Sequence, residues 1–415
     1  MSSNETAQDL EQQKQFAAQG VRVLIAGSIL MLLLGILYVW SVFVIPFKEL
    51  TGWREESIKL TSSFLLSFYV LGILAGGKIQ VKKGTSVVCL VGGLLLALGM
   101  LIASFVPPSA PWLIYSYGII GGFGVGMGYT SVVTCGQKWF PNKRGLATGI
   151  SVFTFGFSSV IFAPLVKSLV ASFELVPTFR ILCVISLVVT LAVFKFINLP
   201  KNMQQGGAAA KKLLEKKQYT TPQMLRNKNF YMITLSLMAG NAAYFILNPA
   251  FVTLMRDKVV AGGGSLEMGV QLGGLMVMIA GIANAAGRIV LPILSERIGR
   301  KTTAFIIYGL TAVCTLAIIF SGGPVMIALV AIVSMCYGAA SGVFPLLTTD
   351  FFGIENFGTN YGAVMIGFAA SALLFPFVFA PIQSLEAKFI ALTIVAAIGS
   401  TIILFAKEDA APAQK

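Results

Sequence analysis

Long apolar runs recur along almost the whole chain, and they constrain the fold more than any other feature. A helix that crosses the hydrocarbon core of a bilayer needs about 20 mainly apolar residues, and twelve runs meet that need. They lie at 22–46, 59–77, 86–106, 112–136, 146–172 and 179–199, and at 229–255, 270–294, 302–321, 324–347, 360–383 and 388–406. The pattern predicts an all-α membrane protein with twelve transmembrane helices.

The composition agrees with this class and argues against a water-soluble one. Only 11% of the 415 residues are charged and 56% are apolar, whereas soluble proteins carry about 25% charged residues. The net charge of +14 is explained by Lys and Arg in cytoplasmic loops, where membrane proteins concentrate them. Because no separate soluble domain offers a basic groove, no nucleic-acid partner is expected.

One long basic segment divides the apolar runs into two sets of six. We expect a cytoplasmic N-terminal tail at 1–21, a six-helix bundle at 22–199, a cytoplasmic basic linker at 200–228, a second six-helix bundle at 229–406 and a cytoplasmic C-terminal tail at 407–415. Basic residues are more frequent in the loops on the side of the termini, so both termini are predicted to be cytoplasmic. The length of the first run indicates a spanning helix rather than a cleaved signal peptide.

The two sets resemble each other at one loop. GGKIQVKKG (76–84) follows the second run and LSERIGRK (294–301) follows the eighth. The second copy resembles the loop signature of the major facilitator superfamily, while the first has Val81 in place of the acidic residue. That signature is expected to clamp helix ends, not to contact substrate. Parallel repeats of this kind predict two pseudo-symmetric halves, with a substrate site near the midplane between them.

The residue types that carry most metal and catalytic chemistry are missing or scattered. The sequence has no histidine, which is the usual metal ligand and near-neutral proton carrier. Its five cysteines lie far apart in apolar runs, a spacing that suits neither a disulfide framework nor a metal site. We expect no metal, no cofactor and no enzymatic activity.

Arg288 is the one ionisable residue placed deep within an apolar run, since all 16 acidic residues fall in tails, loops or the ends of runs. A charge inside the membrane is costly and is therefore a functional candidate by default. Guanidinium matches the two oxygens of a carboxylate and stays charged at physiological pH. Asn284 lies one turn earlier on the same face. We expect both to face a water-filled cavity and to bind a small organic anion; backbone carbonyls or an internal partner around Arg288 are the alternative.

Other polar and aromatic residues are expected to line the same cavity. Asn241 and Tyr244 share one face of the seventh run, and Tyr38, Tyr129 and Tyr337 lie in the first, fourth and tenth runs. For each tyrosine, an interhelical hydrogen bond or a place at the membrane interface is an equally good interpretation.

Three segments are similar to oxalate/formate antiporters, a branch of the major facilitator superfamily close to the monocarboxylate transporters. They are KWFPNKRGLATGI (138–150), GRIVLPILSERIGRKTT (287–303) and FPLLTTDFFGIENFGTNYG (344–362). The resemblance covers essentially all twelve runs and implies the major facilitator fold. It also implies that the Arg on the eighth helix, here Arg288, binds the substrate carboxylate, and that Tyr38, Tyr129 and Tyr337 form an aromatic cage around the anion.

One departure from the antiporter pattern bears on the substrate. The oxalate carriers have a second essential base, a Lys on the eleventh helix, where this sequence has Phe368. One base with an apolar neighbour suits a monocarboxylate, because burying a second carboxylate without a partner is costly. A short monocarboxylate such as lactate, pyruvate or formate is therefore predicted. An oxalate-type dicarboxylate exchanger is the alternative.

Several questions about the mechanism stay open. Animal-type monocarboxylate transporters pair their eighth-helix Arg with a nearby Asp for proton coupling, and Asn284 stands where a neutral substitute for that Asp would lie. Proton symport and anion exchange both fit the sequence, and an anion sensor built on a transporter fold is a further alternative. A proton-driven drug or sugar exporter is disfavoured because membrane-embedded acids are missing. We expect a monomer in the cell inner membrane.

Overall fold

The computed structural model of the chain describes residues 3–106 and 110–407. Within these ranges there are sixteen α-helices and no β-strand. The helices are α1 (Ser3–Leu34), α2 (Trp40–Thr51), α3 (Glu55–Lys83), α4 (Thr85–Ala103), α5 (Gly122–Trp139), α6 (Arg144–Phe173), α7 (Leu175–Val193), α8 (Ala208–Glu215), α9 (Thr221–Leu225), α10 (Lys228–Leu247), α11 (Phe251–Ala261), α12 (Leu266–Ile298), α13 (Arg300–Ile319), α14 (Gly323–Phe352), α15 (Phe357–Phe379) and α16 (Leu385–Ile402).

Twelve helical stretches of the described chain are long and apolar enough to cross a membrane. The prediction of an all-α membrane protein with twelve transmembrane helices is therefore confirmed. The first stretch, Gln13–Thr51, is 39 residues long and extends well beyond the predicted 22–46. The apolar run marks only the part that suits hydrocarbon, whereas the helical stretch extends into polar residues at both of its ends.

The first and seventh spans are interrupted at corresponding places, which the apolar runs did not indicate. A 3-10 turn at Gly35–Val39 separates α1 from α2, and a second at Asn248–Ala250 separates α10 from α11. Pro249 lies in the second turn and has no N–H to donate to a helical hydrogen bond. At Gly35, a side chain would overlap the backbone carbonyl of Phe155, so a glycine allows the close approach of α6.

The chain forms two compact units. Unit 1 comprises the described part of Met1–Thr221 together with Phe352–Ala363, and unit 2 comprises Pro222–Phe351 and the described part of Val364–Asp409. The end of α14 and the start of α15 thus belong to unit 1. The predicted boundaries at 199 and 229 stay a prediction.

The end of the predicted linker is held by an ordered set of contacts in unit 1. The side-chain oxygen of Gln218 accepts hydrogen bonds from the backbone N–H groups of Ile354 (2.8 Å) and Glu355 (3.0 Å). Asn360 donates to the carbonyl of Tyr219 at 3.0 Å, and the Tyr219 N–H donates to the carbonyl of Phe352 at 3.0 Å. These bonds fasten the linker to the segment that joins α14 to α15.

The second copy of the loop signature clamps helix ends in unit 2. Arg300 is buried and donates to the carbonyl of Pro292 at 2.8 Å. Its guanidinium also lies 3.6 Å from carboxylate oxygens of both Glu296 and Asp350. In unit 1 the related loop uses a neutral contact, in which Gln80 donates to Thr134 at 3.1 Å.

Candidate functional site

Arg288 is the centre of a polar group on α12 in unit 2. Its side chain is only 4% exposed, and its Nε donates to the side-chain oxygen of Asn284 at 3.0 Å. The Asn284 amide nitrogen in turn donates to the hydroxyl of Tyr244 on α10 at 3.2 Å. Asn284 therefore uses both ends of its amide, and it orients the guanidinium and the tyrosine together.

Close packing between α12 and α14 sets the position of Asn284. A Cβ atom at Gly338 would overlap the backbone carbonyl of Asn284, and one at Gly287 would overlap the carbonyl of Met335. The two helices can approach this closely only because these residues have no side chain, as is common where membrane helices pack. The position of Arg288 one turn further along is therefore set by backbone contact.

Aromatic rings extend this polar group on one side. Tyr244 stacks on Tyr337 of α14, with ring centroids 3.7 Å apart and an interplanar angle of 11°. Phe245 packs edge-on against Tyr337 at 5.6 Å and against Phe368 at 5.2 Å. The predicted residues Arg288, Asn284, Tyr244, Tyr337 and Phe368 thus form one connected set, together with Phe245. We call this set, Arg288, Asn284, Tyr244, Phe245, Tyr337 and Phe368, the arginine cluster.

A second set of aromatic residues lies in unit 1, around Phe155 on α6. The ring of Phe155 contacts Tyr38 at 5.3 Å, Tyr69 at 6.0 Å and Tyr129 at 5.1 Å. Tyr69 and Tyr129 also pack edge-on at 5.4 Å. Tyr38 is 37% exposed, while the other three side chains are buried. We call Tyr38, Tyr69, Tyr129 and Phe155 the tyrosine cluster; its members come from four different helical segments.

Asn241 makes its described contacts away from the arginine cluster. Its side-chain nitrogen donates to the carbonyl of Leu237 at 2.8 Å and to the hydroxyl of Tyr308 on α13 at 3.3 Å. No described contact joins it to Asn284 or Arg288. Asn241 therefore lies on the α13 side of α10, whereas Tyr244 lies on the α12 side.

Metal-binding groups are not apparent in the described residues, where no three His, Cys, Asp or Glu side chains lie close enough to hold an ion. The five cysteines are buried free thiols. The acidic side chains that the structure describes in unit 2 lie near helix ends, as the sequence indicates: Asp257, Glu267, Glu296, Asp350 and Glu386. The charge deep within unit 2 is therefore carried by Arg288.

Sequence reasoning missed three members of the two clusters. Tyr69 could have been found, because it is the only tyrosine of the second apolar run and a buried tyrosine needs a partner for its hydroxyl. Phe155 and Phe245 gave no such signal. The chain contains 31 phenylalanines, and nothing in the spacing of these two sets them apart from residues that merely pack.

A family model described as the Major Facilitator Superfamily matches residues 23–376 of the chain. The chain belongs to this superfamily. Its helical architecture also matches that of the solved superfamily proton:xylose symporter XylE with bound 6-bromo-6-deoxy-D-glucose. The TM-score is 0.72, with coverage of 94% of this chain and 96% of that one. At 13% identity, that likeness confirms the major facilitator fold and carries no information on substrate.

Relatives of this superfamily member support the branch that the motifs indicated. The chain is 26% identical over 347 residues to the oxalate:formate antiporter of Oxalobacter formigenes, covering 82% of this chain and 79% of the antiporter. It is also 26% identical over 313 residues to monocarboxylate transporter 13 of Bos taurus, covering 75% of this chain and 69% of the relative. The resemblance to oxalate/formate antiporters and monocarboxylate transporters is thereby confirmed.

Proposed function

We propose that this protein is a secondary active transporter of short monocarboxylates, such as lactate, pyruvate or formate, and that it works by alternating access. In this proposal the guanidinium of Arg288 binds the substrate carboxylate. The observation that supports this proposal most is that a buried arginine within a membrane-spanning helix donates its Nε–H to Asn284 at 3.0 Å. An oriented guanidinium fork is the side-chain group that best matches a planar carboxylate.

The arginine cluster suits an acid with one carboxylate and a small apolar body. Tyr337 and Phe368, whose rings lie 6.3 Å apart, place aromatic surface within the cluster. A second carboxylate there would lose its hydration without gaining a charged partner, which is costly. The relatives transport oxalate, formate or monocarboxylates by their names. Among these substrates, the apolar side chain of Phe368 favours the monocarboxylates over oxalate.

A role of the tyrosine cluster in anion binding is proposed on the family resemblance alone. Tyr38 and Tyr129 were predicted as cage residues by family resemblance, and Tyr69 adds a third hydroxyl on a ring that packs edge-on against Tyr129. Tyrosine hydroxyls donate hydrogen bonds without adding a charge. They can therefore select the shape of the anion while Arg288 supplies the electrostatic attraction.

The remaining features of the proposal follow the distribution of charge along the chain. We propose that both termini are in the cytoplasm, because Lys and Arg are more frequent in the loops on that side. A monomer in the cell inner membrane is proposed from the family resemblance. The co-transported partner is a proton or an exchanged anion. An oxalate-type exchange of dicarboxylates is the second candidate, favoured by the antiporter relative.

Uptake by proteoliposomes tests this function. Purified protein is reconstituted, and entry of labelled lactate, pyruvate, formate and oxalate is measured with a pH gradient in one arm and with preloaded anion in the other. We expect uptake of the three monocarboxylates to exceed that of oxalate, and the stimulated arm to identify symport or exchange. Arg288→Ala should abolish uptake, while Arg226→Ala, which removes an exposed arginine, should not. Full uptake by Arg288→Ala would refute the proposed role.

A further inference from the structure

A crevice lies between the seventh and twelfth spans of unit 2, apart from the arginine cluster. One wall comes from α10, α11 and the turn between them, and the other from α16. It encloses about 550 Å³ including its open mouth, and its lining residues are Ile246, Leu247, Ala250, Thr253, Leu254, Asp257, Leu385, Lys388, Phe389 and Leu392.

The break in the seventh span accounts for the crevice. Ile246 and Leu247 precede the 3-10 turn at Asn248–Ala250, whereas Thr253 and Leu254 follow it. Proline bends a helix by removing a hydrogen bond and crowding the preceding turn, and Pro249 lies in this one. Since α16 continues as a regular helix, a bent segment beside it leaves a gap.

The floor of the crevice is apolar and deeply buried. Leu247, Leu254, Phe389 and Leu392 are each at most 5% exposed. Water gains little in such a place because it finds few polar partners, and an empty gap forfeits dispersion contacts along its walls. In a bilayer, the apolar groups available to fill it are the acyl chains of lipids.

The rim of the crevice carries one charge of each sign. Lys388 is half-buried, and its ammonium forms no ion pair or hydrogen bond with any residue in the described ranges. Asp257 is exposed and pairs with its neighbour Arg256 at 2.8 Å. Lys388 lies in the first turn of α16 and Asp257 near the end of α11. Both positions are near span ends, at the depth where lipid headgroups lie.

We propose that this crevice is a binding site for one zwitterionic phospholipid of the ethanolamine type. An acyl chain occupies the apolar floor, the phosphate accepts hydrogen bonds from the Lys388 ammonium, and the lipid ammonium donates to the Asp257 carboxylate. Phosphate beside an ammonium is a charge-assisted pair. Asp257 disfavours a glycerol headgroup with net negative charge, and a choline headgroup has no N–H to donate to it.

Native mass spectrometry of the full-length protein tests the site. Protein in detergent is titrated with phosphatidylethanolamine, phosphatidylglycerol and phosphatidylcholine of identical acyl chains. We expect one phosphatidylethanolamine to bind more tightly than the other two lipids. Lys388→Gln should weaken that binding about tenfold, and Asp257→Asn should reduce the preference over phosphatidylglycerol. Lys167→Gln is the matched control, because it removes an exposed lysine from the end of another span.

A second variant separates loss of the site from loss of the fold. Thr253 is exposed at the mouth of the crevice, so Thr253→Trp should fill the gap and exclude the lipid while the elution volume and melting temperature stay near those of the wild type. Equal binding of all three lipids, or binding unchanged by both Lys388→Gln and Thr253→Trp, would overturn the proposal. Neither result depends on transport, so a failure here is distinguishable from a failure of the proposed function.

Discussion

The arginine cluster and the tyrosine cluster both lie within membrane-spanning helical stretches, but only the arginine cluster contains a charged side chain. In unit 2, a charged guanidinium is oriented by an amide that also holds Tyr244. In unit 1, three tyrosine rings gather around Phe155, and no formal charge is present among the four side chains. Under the proposed function, the arginine cluster would attract the anion by its charge and the tyrosine cluster would select its shape.

Because of this difference, we expect substitutions in the two clusters to have effects of different size. A buried charge interacts strongly with a ligand, and truncating one partner of such a pair costs about 2–5 kcal/mol. An aromatic contact contributes about 0.5–1.5 kcal/mol beyond the apolar area it buries. We therefore expect the loss of the Arg288 guanidinium to weaken substrate binding about 30-fold or more, and changes in the tyrosine cluster to alter transport by smaller factors.

Phe368→Lys is expected to have the largest effect on substrate preference, because it adds a second positive charge to the arginine cluster. A lysine at this position of the arginine cluster can pair with a second carboxylate, which the apolar ring cannot. We expect the ratio of oxalate to lactate uptake to rise about tenfold or more, measured by competition in proteoliposomes. Phe368→Leu is the control for loss of the ring, and an equal rise in both variants would contradict the role of charge.

Gly338→Ala tests whether backbone contact positions the amide that holds Arg288. The added methyl group must push α14 away from Asn284, and such overpacking costs about 1–3 kcal/mol. We expect a lower melting temperature and uptake reduced about tenfold. Gly281→Ala on α12 is the matched control, because a Cβ atom there meets nothing within 4 Å. If both variants behave alike, the contact does not position the cluster.

Much of the arginine cluster was predictable because its central contact is local. Asn284 and Arg288 are one turn apart on one helix, so periodicity alone places them on the same face. The stacking of Tyr244 on Tyr337 joins helices that are far apart in sequence, and only family resemblance or a structure can bring these rings together. The same limit explains Asn241, since periodicity grouped it with Tyr244 and could not tell which neighbouring helix each residue faces.

The sequence was sufficient to predict the membrane-spanning helices, but not the breaks within them. Apolar runs of sufficient length predicted all twelve spans, because backbone N–H and C=O groups in hydrocarbon must form their hydrogen bonds within the helix. The break at Gly35–Val39 depends on the approach of another helix, and the ordered end of the linker depends on Gln218 reaching Ile354 and Glu355. Neither contact can be predicted from the periodicity of apolar residues in the sequence.

Phe155→Leu tests the tyrosine cluster at its centre. Leucine keeps the site apolar but removes the ring that contacts three tyrosines. We expect the KM for the monocarboxylate to rise roughly three- to tenfold, with a smaller change in maximal rate, measured as initial uptake against concentration. Phe153→Leu, on a ring of the same helix that packs against Phe157, is the control. A loss as large as that of Arg288→Ala would break the division between the clusters.

Substitution of Glu55, which lies outside both clusters, is expected to have the smallest effect, a small change in stability. The side chain of Lys59 lowers the pKa of the Glu55 carboxyl below its usual value through a hydrogen bond and its charge, with Lys48 contributing further. Because the folded-state pKa is the lower one, the stabilisation is present above the ordinary pKa and is lost as the pH falls through the folded value. Glu55→Gln should lower the melting temperature slightly at neutral pH and not at low pH, with uptake unchanged.

The most direct test of the central claim is calorimetric titration of purified protein with a monocarboxylate, using wild type, Arg288→Lys and the control Arg226→Lys. Lysine keeps the charge but loses the two-pronged fork. The account predicts that lactate or pyruvate binds the wild type and the control alike, and binds Arg288→Lys at least about 30-fold more weakly, for a loss of about 2 kcal/mol. Equal affinity in all three proteins would contradict it.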